Sequence, residues 1–197
     1  MFGCRHAPLT LPLPALAELT QRYAEPHRAY HTGDHIAAVL RWFDVVAEGP
    51  GWDAPEDVYV AIVFHDAIYD ATRHDNEARS AELAATLAGA GARAQELIRL
   101  TARHGSLVPA DVAHDRDAGH FLDSDMAILG APTDEFDRYD AAVRVEYAHV
   151  PDAAYRAGRG AFLHKVSALP RIFFTEFFHA VLDTQARANL ARAIARL

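Results

Sequence analysis

The sequence predicts an all-α fold, on three observations. Apolar residues recur at helical spacing, as in Leu16, Leu19 and Tyr23, and again in Ile36, Val39, Leu40 and Phe43. Helix punctuation marks the boundaries: Pro55 stands at a first-turn position followed by Glu56 and Asp57, and the run opening at Asp75 stops at Gly89. The one strongly β-branched run, Val58 to Phe64, has no second run of that quality to pair with, and a lone strand would leave its backbone groups unbonded. It is therefore expected to be a buried helix.

In chain order, residues 1–14 are interrupted by Pro8, Pro12 and Pro14 and are expected to form an irregular N-terminal arm. A helix follows over Ala15–Tyr23 and stops before Pro26. The polar turn from Glu25 to His35 leads into an amphipathic helix over Ile36–Val46, and Gly49 to Asp53 reads as a loop. After the apolar helix, Asp75–Leu87 opens with N-cap chemistry, and Arg93–His104 carries Leu97, Ile98 and Leu100. Residues 105–117 are polar and read as a loop, and Ala118–Leu129 as a helix ending at Gly130. Three more helices are expected at about Asp134–His149, Asp152–Ala168 and Pro170–Leu197, the last broken near Asp183. Phe173, Phe174, Phe177, Phe178, Val181 and Leu182 exceed what one helix face needs. They are expected to pack on residues 15–23, with part of that surface available to a second copy as a homodimer.

The chain has 197 residues, enough for one domain, and a formal net charge of −8, which disfavours a nucleic-acid polymer or an anionic membrane as partner. No basic n-region precedes an apolar run at the N-terminus, and no apolar stretch has spanning length. Cys4 is the only cysteine, so a reducing, cytoplasmic setting is expected. Twelve histidines are more than packing needs and raise the expectation of a metal or phosphate site.

Four stations carry the chemistry: His31 with His35, the adjacent pair His65-Asp66, His104, and Asp123 with Asp125. His31 and His35 are four apart, so on a helix they would share a face. His65-Asp66 ends the apolar run, where an imidazole and a carboxylate are costly to bury without a partner or an ion. Asp123-Ser-Asp125 is framed by Phe121, Leu122, Met126, Ile128 and Leu129, a setting unlike solvated surface. Each station alone reads more readily as structure than as function. Their order on successive helices is what draws them together.

The pattern His35 … His65-Asp66 … Asp125 resembles the HD-domain superfamily of metal-dependent phosphohydrolases. Longer blocks add to it: Glu25-Pro-His-Arg-Ala-Tyr-His-Thr-Gly-Asp-His-Ile36, Phe64-His-Asp-Ala-Ile-Tyr-Asp70, Asp75-Asn-Glu-Ala-Arg-Ser-Ala81 and Phe121-Leu-Asp-Ser-Asp-Met-Ala-Ile-Leu-Gly130. These, with Tyr155-Arg-Ala-Gly-Arg159 and Ala186-Arg-Ala-Asn-Leu190, are similar to a bacterial branch of predicted HD phosphohydrolases over roughly residues 20–195. The resemblance implies a single HD-type helical bundle over 1–197, with the helices from about 132 to 197 as a C-terminal extension on its core.

The resemblance also implies His35, His65, Asp66 and Asp125 as ligands of a divalent cation, with Asp123 as the alternative to Asp125 or as a group orienting a ligand. The mixed N/O donor set suits Mn, Fe, Co, Ni, Zn or Mg. Its expected reaction is hydrolysis of a small phosphorylated metabolite such as a nucleotide. Asp66, Asp70 or Glu77 would assist the water, because the family's glutamate three beyond the paired Asp is here Tyr69. His31, His104, Arg28 and Arg159 would contact the substrate phosphate or a second ion. Two alternatives remain open: a helical module that binds metal or nucleotide without turnover, and a di-iron oxygenase using His104.

Overall fold

The computed structural model describes residues 2–197, and among them it has nine α-helices and no strand. These are α1 (Leu13–Arg22), α2 (Gly33–Glu48), α3 (Pro55–Phe64), α4 (Asn76–Ala88), α5 (Ala92–Leu100), α6 (Arg116–Asp125), α7 (Thr133–Glu146), α8 (Asp152–Ser167) and α9 (Glu176–Ile194). The chain is all-α. Met1, the first residue of the expected arm, lies outside the described residues.

Helix α3 is the axis of the first apolar cluster. All seven residues from Val58 to Phe64 are buried, and α2, α4, α5 and α6 pack around them. A helix hydrophobic on every side is stable only when enclosed in this way. Phe43, Leu97, Ile98, Phe121 and Leu122 fill the space between. The N-terminal arm is tied to this cluster. Tyr59 donates its hydroxyl to the Phe2 carbonyl at 2.6 Å, and the N–H groups of Arg5 and His6 donate to the buried Asp44 carboxylate at 3.0 and 2.9 Å.

A second cluster joins α7, α8 and α9 through Phe136, Leu163, Phe173, Phe178 and Leu190. Here the structure corrects the expectation for most of the C-terminal aromatics: Phe173, Phe177 and Phe178 join the cluster of Trp42 and Val46 of α2, while Phe174 packs against the first cluster. The long C-terminal helix also differs from expectation. Residues 168–175 are not helical, and α9 runs unbroken through Asp183. The cause is hydrogen bonding by two buried acids. Asp123 accepts from the N–H groups of Phe174 and Thr175 at 2.7 and 2.8 Å, holding that segment outside the helix. Asp183 turns inward and accepts from Ile172 N–H at 2.8 Å, so it anchors the turn instead of breaking α9.

Two other segments change type. The expected helix over 118–129 is α-helical only to Asp125 and tightens to a 3₁₀ turn over Met126–Gly130. The end of that turn approaches α9 so closely that only glycine fits, since a Cβ on Gly130 would stand 2.6 Å from the Leu182 Cβ. The helix expected over Arg93–His104 likewise ends α-helical at Leu100, with a short 3₁₀ turn to Arg103 and Gly105 in the left-handed region at φ 72°.

Candidate metal centre

Three helix ends converge at the seam between the two clusters. His35 lies in the first turn of α2, behind the Thr32 cap whose hydroxyl accepts from Asp34 N–H. His65 and Asp66 follow α3 directly, and the His65 N–H still bonds back to Ala61. Asp125 is the last residue of α6. His35 and His65 are buried, and Asp66 and Asp125 nearly so.

His35 Nε2 stands 3.3 Å from His65 Nε2, 3.0 Å from Asp125 Oδ1 and 3.4 Å from Asp66 Oδ2. His65 Nε2 stands 3.0 Å from Asp66 Oδ2 and 3.4 Å from Asp125 Oδ1. Ligands about 2.1 Å from one ion are separated by about 3.0 Å in an octahedral set and about 3.4 Å in a tetrahedral one, so these separations suit a shared cation. His65 Nδ1 donates to the Ile62 carbonyl at 2.8 Å, which leaves Nε2 as the lone-pair atom facing the cluster. The donor set and its spacing fit a divalent metal.

The electrostatics agree. Burial opposes charge on Asp66, but His65 and His31 outweigh it and hold the carboxyl well below the usual range. Asp125 is likewise pushed far down, with burial overcome by His65 and by hydrogen bonds from His104 and His35. Burial disfavours the His65 imidazolium, yet Asp66 and Asp125 raise its pKa well above the ordinary value. Two carboxylates thus draw positive charge into an apolar wall, where a bound cation would compete with protons.

The structure separates Asp125 from Asp123, which the sequence left open. Asp123 spends both oxygens on Phe174 N–H, Thr175 N–H and the Thr175 hydroxyl, so it orients the segment before α9 and no ligand. Arg28 also takes a different place from the one expected. Its guanidinium is enclosed and donates to the carbonyls of His31, Asp66 and Ala67 at 2.9, 2.7 and 3.0 Å and to Glu25 at 3.0 Å. It therefore has no fork to offer a phosphate. Instead it ties the segment before α2 to the one after α3, and so sets the spacing of His35 and His65-Asp66.

Asp70 is corrected as a candidate base. Its Oδ1 closes a turn on the N–H and hydroxyl of Thr72 at 2.8 and 2.7 Å, and it does not line the cavity beside the cluster. Glu77, at the start of α4, does line it. His104 lines it too and donates from Nε2 to Asp125 Oδ2 at 2.7 Å. Arg159 reaches the same cavity, with Nε and Nη2 on Asp140 at 3.1 and 2.8 Å.

One functional candidate had no signal in the sequence. Glu146, at the end of α7 and with its side chain fully buried, accepts three backbone N–H bonds from Ala29, Tyr30 and His31 on one oxygen, at 2.8, 2.8 and 2.9 Å. Its other oxygen accepts from His31 Nδ1 at 2.7 Å and the Tyr69 hydroxyl at 2.9 Å. His31 precedes α2 instead of lying on it, so it shares no helix face with His35, yet their rings approach to 5.9 Å. Its ring is stacked on Tyr69 at 4.1 Å.

Two cavities meet the cluster. One, of about 580 Å³ between α4, α7 and α8, opens on Asp66, Asp125, His31 and His104. The other, of about 630 Å³ beside α2, α7 and α9, opens on His35 and Asp125. Tyr30 and Tyr139, packed edge to face at 4.6 Å, belong to both walls. No family model, no curated protein and no solved structure matches the chain.

Proposed function

We propose that this chain is a metal-dependent phosphohydrolase of the HD-domain kind, acting on a small phosphorylated metabolite. The observation that carries the reading is that His35 and His65 lie 3.0–3.4 Å from each other and from a carboxylate oxygen of both Asp66 and Asp125, with His35, His65 and Asp66 grouped closely enough to hold one ion, beside a substrate-sized cavity. The resemblance of the same residues to the HD pattern supports it. A divalent ion held there supplies a Lewis acid for a phosphoryl oxygen and lowers the pKa of a water.

The chain's own residues supply the rest. Asp66 serves as a ligand, with its charge committed to the two imidazoles. His31 has Nδ1 engaged by Glu146, so Nε2 is the atom left to exchange a proton with whatever occupies the cavity. Glu146 holds that ring in one tautomer and orientation, while Arg28 keeps the two ligand-bearing segments in register. His104 fixes the second oxygen of Asp125 and leaves the first toward the imidazoles. Glu77 stands in the cavity wall. The test is turnover by the metal-loaded protein across a panel of phosphoesters, with His65→Ala and Asp66→Ala beside it. Equal turnover by all three proteins would falsify the assignment.

A further inference from the structure

The cavity between α4, α7 and α8 has a chemistry of its own beyond the cluster. Its two arginines are each paired with a carboxylate, Arg159 largely enclosed and Arg73 at the surface. Arg159 lies over Tyr139 and Phe162 with two nitrogens on Asp140, and Arg73 is forked onto Asp75 at 2.7 and 2.5 Å. A second phosphate or carboxylate on a substrate would find no uncommitted guanidinium in this wall, and would meet the carboxylate of Glu77. Among the groups that line this cavity and not the α2-side one, the Glu77 carboxylate and the hydroxyls of Tyr147 and Tyr155 make no hydrogen bond among the described residues. Tyr147 and Tyr155 stand side by side with ring centroids 6.2 Å apart. The α2-side cavity differs: Arg41, with no carboxylate partner among the described residues, lines it, but of the cluster it meets only His35 and Asp125.

An ionised carboxylate only accepts hydrogen bonds, whereas a phenol accepts and donates. Together with aromatic faces, these groups pair with hydroxyls on an uncharged ring and disfavour a second anion. A volume of about 580 Å³ holds a ring of monosaccharide size or somewhat larger beside the cluster. Resting on the phosphohydrolase reading above, we infer that the substrate is a phosphomonoester with a single anionic group, whose organic part is a hydroxylated, uncharged ring read by Glu77, Tyr147 and Tyr155. Glu77 is thereby a specificity residue and not the base.

The test compares ribose phosphate, fructose bisphosphate and phenyl phosphate as substrates of the metal-loaded protein, and titrates a phosphonate analogue of ribose phosphate by calorimetry. Ribose phosphate is expected to exceed both others in kcat/KM by about tenfold or more, the worth of one good hydrogen bond to a charged group. In Glu77→Gln, KM for ribose phosphate and Kd for the phosphonate are expected to rise together by about tenfold, more than KM for phenyl phosphate, with kcat little moved. Tyr147→Phe is expected to show a smaller rise of the same kind. Preference for the bisphosphate overturns the inference. So does a Glu77→Gln variant that loses kcat equally on ribose and phenyl phosphates, and so does a phosphonate that fails to bind. Binding of the phosphonate that depends on Glu77, with no turnover of any ester, sinks the phosphohydrolase reading and keeps only the recognition part of this one, with Glu77 reading the ring of a bound ligand and not of a substrate.

Discussion

The Nδ1–H of His31 donates to Glu146 across 115 positions of sequence, at 2.7 Å, and the carboxylate it reaches is fully buried. Three backbone N–H groups, of Ala29, Tyr30 and His31, fix the other oxygen, so the ring is held by an acceptor that is itself held on both oxygens.

This pair predicts a pH signature. Burial opposes the Glu146 carboxylate, but His31 and the N–H groups of His31 and Ala29 bring its pKa down to about 2 from the ordinary 4.5. Folding therefore favours the ionised form. Its contribution is complete above pH 4.5 and is lost as pH falls toward 2, amounting to about 3 kcal/mol at about 1.4 kcal/mol per unit. His31 has the opposite sign: its pKa is raised above 6.5 because Asp66 and Glu146 outweigh burial, so its contribution is present below 6.5 and fades as pH rises past the raised value. Urea midpoints of wild type and Glu146→Gln across this range should diverge most between these limits. Parallel curves would count against the pair.

Removing Glu146 should also strip the partner from three backbone donors. Glu146→Ala is expected to cost about 2–4 kcal/mol, since buried donors lose a charged acceptor. In Glu146→Gln, which keeps the shape, catalysis with the metal-loaded protein should fall by about tenfold to a hundredfold through misorientation of His31. Restoration of activity at a different pH optimum, with folding intact, is the sign that the loss is one of positioning.

Asp123 and Asp125 should separate cleanly. Asp125→Asn is expected to weaken binding of a divalent cation, read by elemental analysis after gel filtration, while folding is retained. Asp123→Asn is expected to keep the ion and lose about 1–3 kcal/mol, because an amide presents N–H to backbone donors on Phe174 and Thr175. The reverse pattern would mean that Asp123 is the ligand.

Arg28→Lys keeps the charge but cannot reach three carbonyls and Glu25 together. Cation affinity is expected to drop by about tenfold to a hundredfold, the range for a residue that orients ligands from behind. Calorimetric titration with Mn or Zn reads this directly, and an unchanged affinity would remove Arg28 from the site's support.

Chelation provides the last test. A ligand present at a hundred times its dissociation constant stabilises by about 2.7 kcal/mol, so stripping the ion should lower the melting temperature of wild type. It should leave His65→Ala, which lacks a central donor, where it already stood. A chelator shift of equal size in both would place the ion elsewhere.

What the sequence determined by itself was local. Helix α3, the Pro55 start and the Gly89 stop follow from burial on all sides, a fixed φ and a left-handed turn at φ 65°, each readable within a few residues. The stations His35 and His65-Asp66 were likewise legible, because each sits at a helix end that the pattern marks, and Asp125 was legible from its apolar frame, although its helix ends before the expected Leu129. Tertiary structure decided what depends on how helices dock. Residues two apart on a helix point to nearly opposite sides, so only the seating of α6 could turn Asp125 to the imidazoles and Asp123 to residues 174–175. The same holds for Arg28, turned from a phosphate binder into an internal brace, and for Glu146, silent in the sequence because a lone acid at a helix end acquires its meaning only from the distant groups that fold against it.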